Sequence, residues 1–282
     1  MSELANKTFI VTGANTGIGR ITARELARQG ASVILACRSQ EKTQPVLDEI
    51  RRETQSDRAE YVPLDLGDLA SVRTCAESLL ARKLPIHGLI NNAGLAGQRS
   101  LTRDGFEIQF GTNHLGHYLL TRLLLDRIVE SAPARIVNVS SDSHYSARSI
   151  DWDAQRQTTR SLTGMKEYAV SKLANVLFTK ELARRLAGKR VTAYALHPGV
   201  VATDVWRRVP GPLRWAIKRF MITPEVGAQA TLRCATAPEL AEESGRYYSV
   251  GGKERKPSKT SEDAALAAEL WKRSAAWTGL PE

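Results

Sequence analysis

Short apolar runs alternate along this chain with longer stretches in which apolar residues recur every three or four positions. The run KTFIVT, Lys7 to Thr12, is largely β-branched and apolar. The segment ITARELARQG then sets Ile21, Ala23, Leu26 and Ala27 at helical spacing before Gly30. This is the pattern of a strand feeding an amphipathic helix that stops at a glycine. ASVILAC, AEYVPLDL, IHGLINNAG, ARIVNVSS and RVTAYALHPG read as further strands. Residues 41–54, LASVRTCAESLLARK, and residues 106–129 and 167–187 read as helices. Apolar strands separated by helix-length connections predict parallel βαβ units: an α/β protein with a single-domain Rossmann fold, a doubly wound parallel sheet with helices on both faces. Two segments break the rhythm. Asp142 to Lys166 is polar and strand-poor, and Thr203 to Thr223 mixes Trp206, Trp215, Phe220 and Met221 with basic residues around a Pro-Gly-Pro. Insertions of this length in a compact domain are usually functional, and the second is the candidate substrate lid.

Composition narrows the class. At 282 residues, 42% hydrophobic and 25% charged, the chain is neither collagenous, disordered nor a disulfide scaffold. Its longest run without Lys, Arg, Asp or Glu, Leu84 to Gln98, contains Pro85, Asn91 and Asn92 and falls short of the roughly 20 apolar residues of a membrane-spanning helix. Glu3 and Lys7 stand where a signal peptide needs an unbroken apolar stretch, so a cytoplasmic location is expected. Cys37, Cys75 and Cys234 show no CxxC spacing and are expected to be small buried residues, with no metal site. The net charge of +10 is scattered, with clusters at Arg207, Arg208, Arg214, Lys218 and Arg219 and at Lys253, Arg255, Lys256 and Lys259. No recognition motif accompanies it, so a solvated basic surface is expected and not a nucleic-acid partner.

Three local patterns carry chemistry. Gly13-x-x-x-Gly17-x-Gly19 falls where the first strand enters the first helix. Residues without Cβ there let a pyrophosphate approach backbone N–H groups and the positive end of the helix dipole; a turn with no ligand is the plain alternative. The second strand ends in Cys37 and Arg38, where a site for a free ribose hydroxyl usually carries Asp or Glu. A guanidinium matches a 2′-phosphate bidentately, which predicts NADP(H), unless Arg38 is only a surface side chain. Tyr168 and Lys172 stand four apart in a helical stretch, and so share one face. An ammonium beside a phenol favours the phenolate and suits it to acid/base work; a surface contact is again the plain alternative.

Taken in order, these residues resemble the short-chain dehydrogenases/reductases. The motifs are TGANTGIG from Thr12 to Gly19, Asp65-Leu66, NNAG from Asn91 to Gly94, Asn113, the pair Ser140-Ser141, Tyr168-x-x-x-Lys172, and His197-Pro198-Gly199 with Thr203. The resemblance covers roughly Lys7 to Tyr248. ACRS, NHLGHYLLT and SKLANVLFTKELARRL look most like the retinol dehydrogenase-like branch, which includes the oxidoreductase domain found beside WW modules. The resemblance implies one dinucleotide-binding oxidoreductase domain over residues 1–282, with a lid at about 203–223 and a C-terminal extension at about 250–282.

It also implies roles. Tyr168 is the acid/base, Ser141, the second serine of its pair, binds the substrate oxygen, Lys172 binds the nicotinamide ribose and lowers the Tyr168 pKa, and Asn113 holds a water-linked proton relay. Gly13, Asn15, Thr16, Gly17, Ile18, Gly19, Arg38, Asp65, Leu66, Asn92, Ala93, Gly94, Tyr168, Lys172, Pro198, Gly199, Val200 and Thr203 contact the cofactor. His114, His117 and His144 are expected to pack or line a pocket and not to catalyse.

The resulting expectation is NADP(H)-dependent hydride transfer to or from an apolar aldehyde, ketone or alcohol, retinal-like or otherwise lipophilic. A catalytically silent NADP-binding regulator is the alternative, but it needs only the phosphate and adenine contacts and not Asn113, Ser141, Tyr168 and Lys172 together. Sugar-nucleotide epimerases share the Tyr–Lys device but usually space the glycines differently and carry a larger C-terminal domain. The aromatic, basic lid also suits docking on an anionic membrane surface. Relatives of the branch often pair through the helices carrying Asn113 and Tyr168, which implies a homo-oligomer.

Overall fold

The computed structural model describes residues 4–200 and 222–282. The first strand, β1 (Thr8–Thr12), is buried along its whole length and pairs in parallel with β2 (Ser32–Cys37) on one side and β4 (Gly88–Asn91) on the other. With β3 (Ala59–Pro63), β5 (Ala134–Val139), β6 (Val191–Leu196) and β7 (Arg246–Tyr248), the described residues build a seven-stranded sheet in the order β3-β2-β1-β4-β5-β6-β7. Each of its neighbouring pairs is parallel.

Alternation along the strands explains why both faces are covered. Ile10, Ile34 and Ala36 belong to one core, while Phe9, Val11, Val33, Leu35 and Cys37 belong to the other. Successive side chains point to opposite faces, so a strand apolar at every position needs helices on both. On one face lie α1 (Gly17–Arg28), α2 (Gln40–Thr54) and α7 (Pro224–Thr236), contributing Leu26, Ile50 and Cys234. On the other lie α3 (Leu69–Ala81), α5 (Gly116–Glu130) and α6 (Met165–Arg185), contributing Val72, Leu124 and Leu182. The short α4 (Ile108–Phe110) runs through a π-turn, Gly111–Leu115, into α5.

All three cysteines are buried and unbridged. No helix among the described residues is long and apolar enough to cross a membrane.

Two features lay outside the sequence expectation. Strand β7 is three residues long, too short to declare a period. The extension from 250 is integral: α8 (Ala264–Trp277) buries Leu270 and Trp271. The Trp271 ring meets Tyr118 edge-on at 5.2 Å and stacks on Phe178 at 5.9 Å. The guanidiniums of Arg122 and Arg185 lie 4.7 and 4.3 Å from it, a cation–π arrangement worth about 0.5–2 kcal/mol per contact.

The order of strands reverses between β1 and β4, which directs α1 and α3 to opposite faces. In open α/β sheets a crevice forms there, outside the carboxyl ends of the strands.

Candidate functional site

A cleft of about 880 Å³ occupies that crevice, within the usual size for a cofactor-plus-substrate site. Its floor is the glycine turn. Gly13 has φ +64° and Gly17 φ +55°, left-handed conformations that glycine adopts without steric cost. Gly13 donates its N–H to the Ala36 carbonyl at 2.9 Å, fixing the turn to β2. A Cβ on Gly19 would lie 2.5 Å from Asn92 Nδ2 and from the Gly13 carbonyl oxygen. The helix therefore starts directly against the loop after β4.

That loop hangs on Thr12. The Thr12 hydroxyl accepts the backbone N–H groups of Asn92 at 2.9 Å and Ala93 at 3.0 Å, and its own proton faces His117 Nε2 at 2.9 Å. His117 Nδ1 stands 3.0 Å from the Asn113 carbonyl. A carbonyl only accepts, so Nδ1 carries the proton and Nε2 takes the one from Thr12. Burial drives the His117 pKa down to about 4, consistent with this neutral ring.

The second wall carries Ser141, Tyr168 and Lys172. Ser141 caps the 3₁₀ turn Asp142–Ser146, its Oγ accepting the Ser143 N–H at 3.2 Å. Ser140 instead gives its hydroxyl to the Lys172 carbonyl at 2.7 Å, so of the pair Ser141 keeps its side chain at the cleft. Lys172 is 3% exposed, and its Nζ donates to the Val139 carbonyl at 3.0 Å. Burial brings its pKa down to about 8. The protein around the Tyr168 phenol pushes its pKa up, and hydrogen bonding with Ser141 opposes that rise.

Every site residue expected from the sequence borders this cleft except Asn113 and Thr203. Thr203, like most of the expected lid with its Trp and Arg residues, lies outside the described residues. Asn113 is fully buried one layer back, its Oδ1 3.4 Å from where a Gly94 Cβ would be. Its side chain accepts the Leu95 N–H at 2.9 Å and donates to the Leu95 carbonyl and to Ser171 Oγ, each at 3.0 Å. Arg38 is exposed and borders the cleft, as does Asp65, whose Oδ1 accepts the Gly67 N–H at 3.0 Å.

Sequence reasoning passed over Ser39 and Lys42, which border the cleft next to Arg38. Ser39 caps α2 by accepting the Lys42 N–H at 3.2 Å. The signal was a serine just before a helical period, an N-cap pattern that brings the first turn of α2 to the rim.

His114, His117 and His144 pack behind the cleft wall, hydrogen-bonded to Ser274 Oγ, to Thr12 and Asn113, and to Ser141 and Ser258 respectively.

Comparison with known proteins places this architecture in a class. Residues 7–152 and 154–211 match the family model for short chain dehydrogenase. The chain is 45% identical to Retinol dehydrogenase 13 of Homo sapiens over 291 residues, spanning 99% of this chain and 86% of that protein. It is 45% identical to Retinol dehydrogenase 12 of Mus musculus over 281 residues, spanning 99% and 88%. A crystal structure from Mycobacterium paratuberculosis matches with a TM-score of 0.77 at 36% identity, covering 98% of this chain and 94% of that one. A structure from Beutenbergia cavernae with bound NADP matches at 0.70 and 30% identity, covering 89% and 97%. A 3-ketoacyl-(acyl-carrier-protein) reductase from Brucella melitensis complexed with NADH matches at 0.69 and 25%, covering 88% and 98%. The chain belongs to the short-chain dehydrogenase family. It is an oxidoreductase of the retinol dehydrogenase-like kind, a group that uses a nicotinamide cofactor.

Proposed function

We propose that the protein is an NADP(H)-dependent oxidoreductase acting on the carbonyl or alcohol carbon of a small lipophilic substrate, retinal-like or another apolar aldehyde, ketone or alcohol. One observation carries this reading: Ser141, Tyr168 and Lys172 converge on one wall of the cleft whose floor is the glycine turn. The lipophilic substrate class rests on the names of the relatives, two of them retinol dehydrogenases.

The site's shape suits a dinucleotide. With no Cβ at Gly13 and Gly19 the turn packs directly against the loop after β4, and the N-terminus of α1, entered at Gly17, favours the charge of a pyrophosphate. Asn15, Thr16 and Ile18 continue that floor, while Asp65 and Leu66 would contact the adenine and Asn92, Ala93 and Gly94 would line the cofactor. Arg38, joined by Lys42 and the capped first turn of α2, supplies positive charge for a 2′-phosphate. Pro198, Gly199 and Val200, with Thr203 beyond the described residues, would hold the nicotinamide end. The bound nicotinamide supplies or accepts the hydride.

This chain's groups manage the proton and the charge on oxygen. The Ser141 hydroxyl both accepts the Ser143 N–H and donates to Ser143 Oγ, each at 3.2 Å, so a substrate oxygen takes the serine proton in exchange for its long bond to Ser143 Oγ. Tyr168, held protonated at neutral pH by its surroundings, delivers its phenolic proton to that oxygen on reduction and takes it back on oxidation. Lys172 stands behind the tyrosine as the cation that stabilises the phenolate left behind. Asn113, which would hold the water-linked proton relay, is itself fixed by both polar groups of Leu95 and by His117, whose Nδ1 donates to its backbone carbonyl.

Oxidation of NADPH and NADH, followed by nicotinamide absorbance over a panel of aliphatic, aromatic and retinoid aldehydes and ketones, tests the reading. NADPH-dependent turnover that vanishes in Tyr168→Phe, with NADPH binding retained, is expected. Binding of NADPH without turnover of any carbonyl would instead support the silent regulator.

A further inference from the structure

The loop carrying Ser141 is built across a part of the chain distant in sequence. The Ser141 carbonyl accepts two hydrogen bonds from a single residue, His144: its backbone N–H at 3.0 Å and its ring Nδ1 at 2.7 Å. The far ring nitrogen, Nε2, accepts the backbone N–H of Ser258 at 3.1 Å. A carbonyl can only accept and a backbone N–H can only donate, so the partners at the two ends fix one neutral tautomer, protonated on Nδ1. The ring is fully buried, 4.1 Å from the centroid of Tyr145 and 4.9 Å from that of Tyr247.

Three neighbouring contacts tie the turn after Ser141 to distant chain, two of them to the segment 255–258 and one to β7. Arg255 Nη1 pairs with Asp142 Oδ2 at 2.7 Å, the Tyr247 hydroxyl donates to Asp142 Oδ1 at 3.1 Å, and the Tyr145 hydroxyl donates to the Lys256 carbonyl at 2.6 Å.

We propose that His144 is a positioning residue for Ser141, clasping the serine's backbone to the strap that runs from Arg255 to Ser258. This inference rests on the reading of Ser141 as the donor to the substrate oxygen. The His144 ring holds the Ser141 carbonyl, and the turn that begins there sets the Ser143 N–H which aims the Ser141 hydroxyl. The strap does not border the cleft, and the glycine turn, Arg38 and Asp65 make none of these contacts. Losing the clasp is therefore expected to move the serine while leaving the cofactor floor in place.

The test uses His144→Phe, which keeps a ring between the tyrosines but no polar atoms, and His144→Asn, whose amide can restore the bond to the Ser141 carbonyl. Reduction of decanal and of retinal by NADPH is measured for each variant, for Ser141→Ala and for the double variants. His144→Phe is expected to lose about 100-fold in kcat, the scale of an ångström misplacement, with the Kd for NADPH within about twofold. His144→Asn should recover most of that loss. In the Ser141→Ala background the ring change should cost nothing more. Independently of turnover, amide hydrogen exchange at Ser258 should rise at least about tenfold in His144→Phe, because its acceptor is gone.

Should the buried ring prove indispensable for folding, Ser258→Pro removes the N–H, at a φ of −63° that proline adopts, together with the hydroxyl that accepts the Ser261 N–H at 3.3 Å; Ser258→Ala, which loses the hydroxyl alone, is its control, and the same kinetic pattern is expected of the proline variant and not of the alanine one. A full-activity His144→Phe, or losses that multiply in the double variant, overturns the clasp. Full activity in Ser141→Ala overturns the serine assignment and the clasp with it, so the two failures are told apart.

Discussion

The Nζ of Lys172 lies 5.6 Å from the centroid of the Tyr168 ring and donates to the Val139 carbonyl at 3.0 Å. Four residues apart on α6, the two share one face, and that face is turned into the crevice between β1 and β4. The position is costly for an ammonium, since burial lowers its proton affinity from the ordinary 10.5 to about 8. Between those values the unfolded chain binds a proton that the native chain does not, so this group makes stability rise with pH across that window and hold a constant penalty below it. Lys172→Met is accordingly expected to stabilise the protein at pH 7 by on the order of 3 kcal/mol while removing activity. Denaturant unfolding of both proteins at pH 7 and pH 10.5 checks it. The gap should shrink at the higher pH, and a variant less stable at pH 7 would show that the ammonium is fully compensated.

The same pair sets a pH profile. Tyr168 is pushed above its ordinary value and remains the protonated acid that reduction needs, while Lys172 loses its charge near pH 8. The kcat/KM for aldehyde reduction reports groups of the free enzyme. It should therefore be level at neutral pH and fall by about tenfold per unit once the lysine deprotonates, as expected for loss of one essential proton. A profile level from pH 6 to 10 would remove Lys172 from the mechanism.

Arg38 carries the preference for the phosphorylated cofactor in the proposed reading. A charge-assisted hydrogen bond is worth about 1.5–3 kcal/mol, so Arg38→Glu should weaken NADPH binding by roughly 10- to 100-fold or more, and leave NADH within a few-fold. Fluorescence titration of both reduced cofactors measures this. An unchanged ratio would shift the preference to Lys42, which shares the rim.

How far the sequence foretold this molecule depends on whether a residue's signal is local. The strand β1, the glycine turn and α1 were legible because period, turn chemistry and helix stop fall within 25 consecutive positions or so. Tyr168 and Lys172 were legible because helical spacing alone puts them together. What His117 and His144 do was not, although their packing was expected. Each ring is defined by one partner nearby and another about 105 or 114 positions away, Thr12 and Ser258, and no periodicity encodes such contacts. Strand β7 was missed for a related reason. Three residues, Arg246 to Tyr248, become a strand only because β6 offers them a ladder, tertiary context overriding weak local preference. The burial of α8 likewise follows from the aromatic niche that Tyr118 and Phe178 make for Trp271.

Gly19 offers the sharpest separation of fold from site. It lies inside α1, where alanine is ordinarily the better helix former by up to about 1 kcal/mol, so propensity alone favours Gly19→Ala. Space argues the other way. The new Cβ would sit 2.5 Å from both Asn92 Nδ2 and the Gly13 carbonyl oxygen, and 3.0 Å from the Gly13 carbonyl carbon. Two of those atoms are backbone, so relief requires moving the turn itself and stretching the Asn92 bond to the Thr12 carbonyl, now 2.9 Å. Since that turn is the proposed pyrophosphate floor, Gly19→Ala should raise the Kd for NADPH by at least about tenfold, and the steric cost should outweigh the propensity gain, lowering stability by roughly 1–3 kcal/mol. Calorimetric titration with NADPH beside thermal unfolding without it checks both. A variant that is more stable and binds NADPH as tightly as the parent would mean that the turn yields freely, and that its glycines are there for helix entry and not for a phosphate.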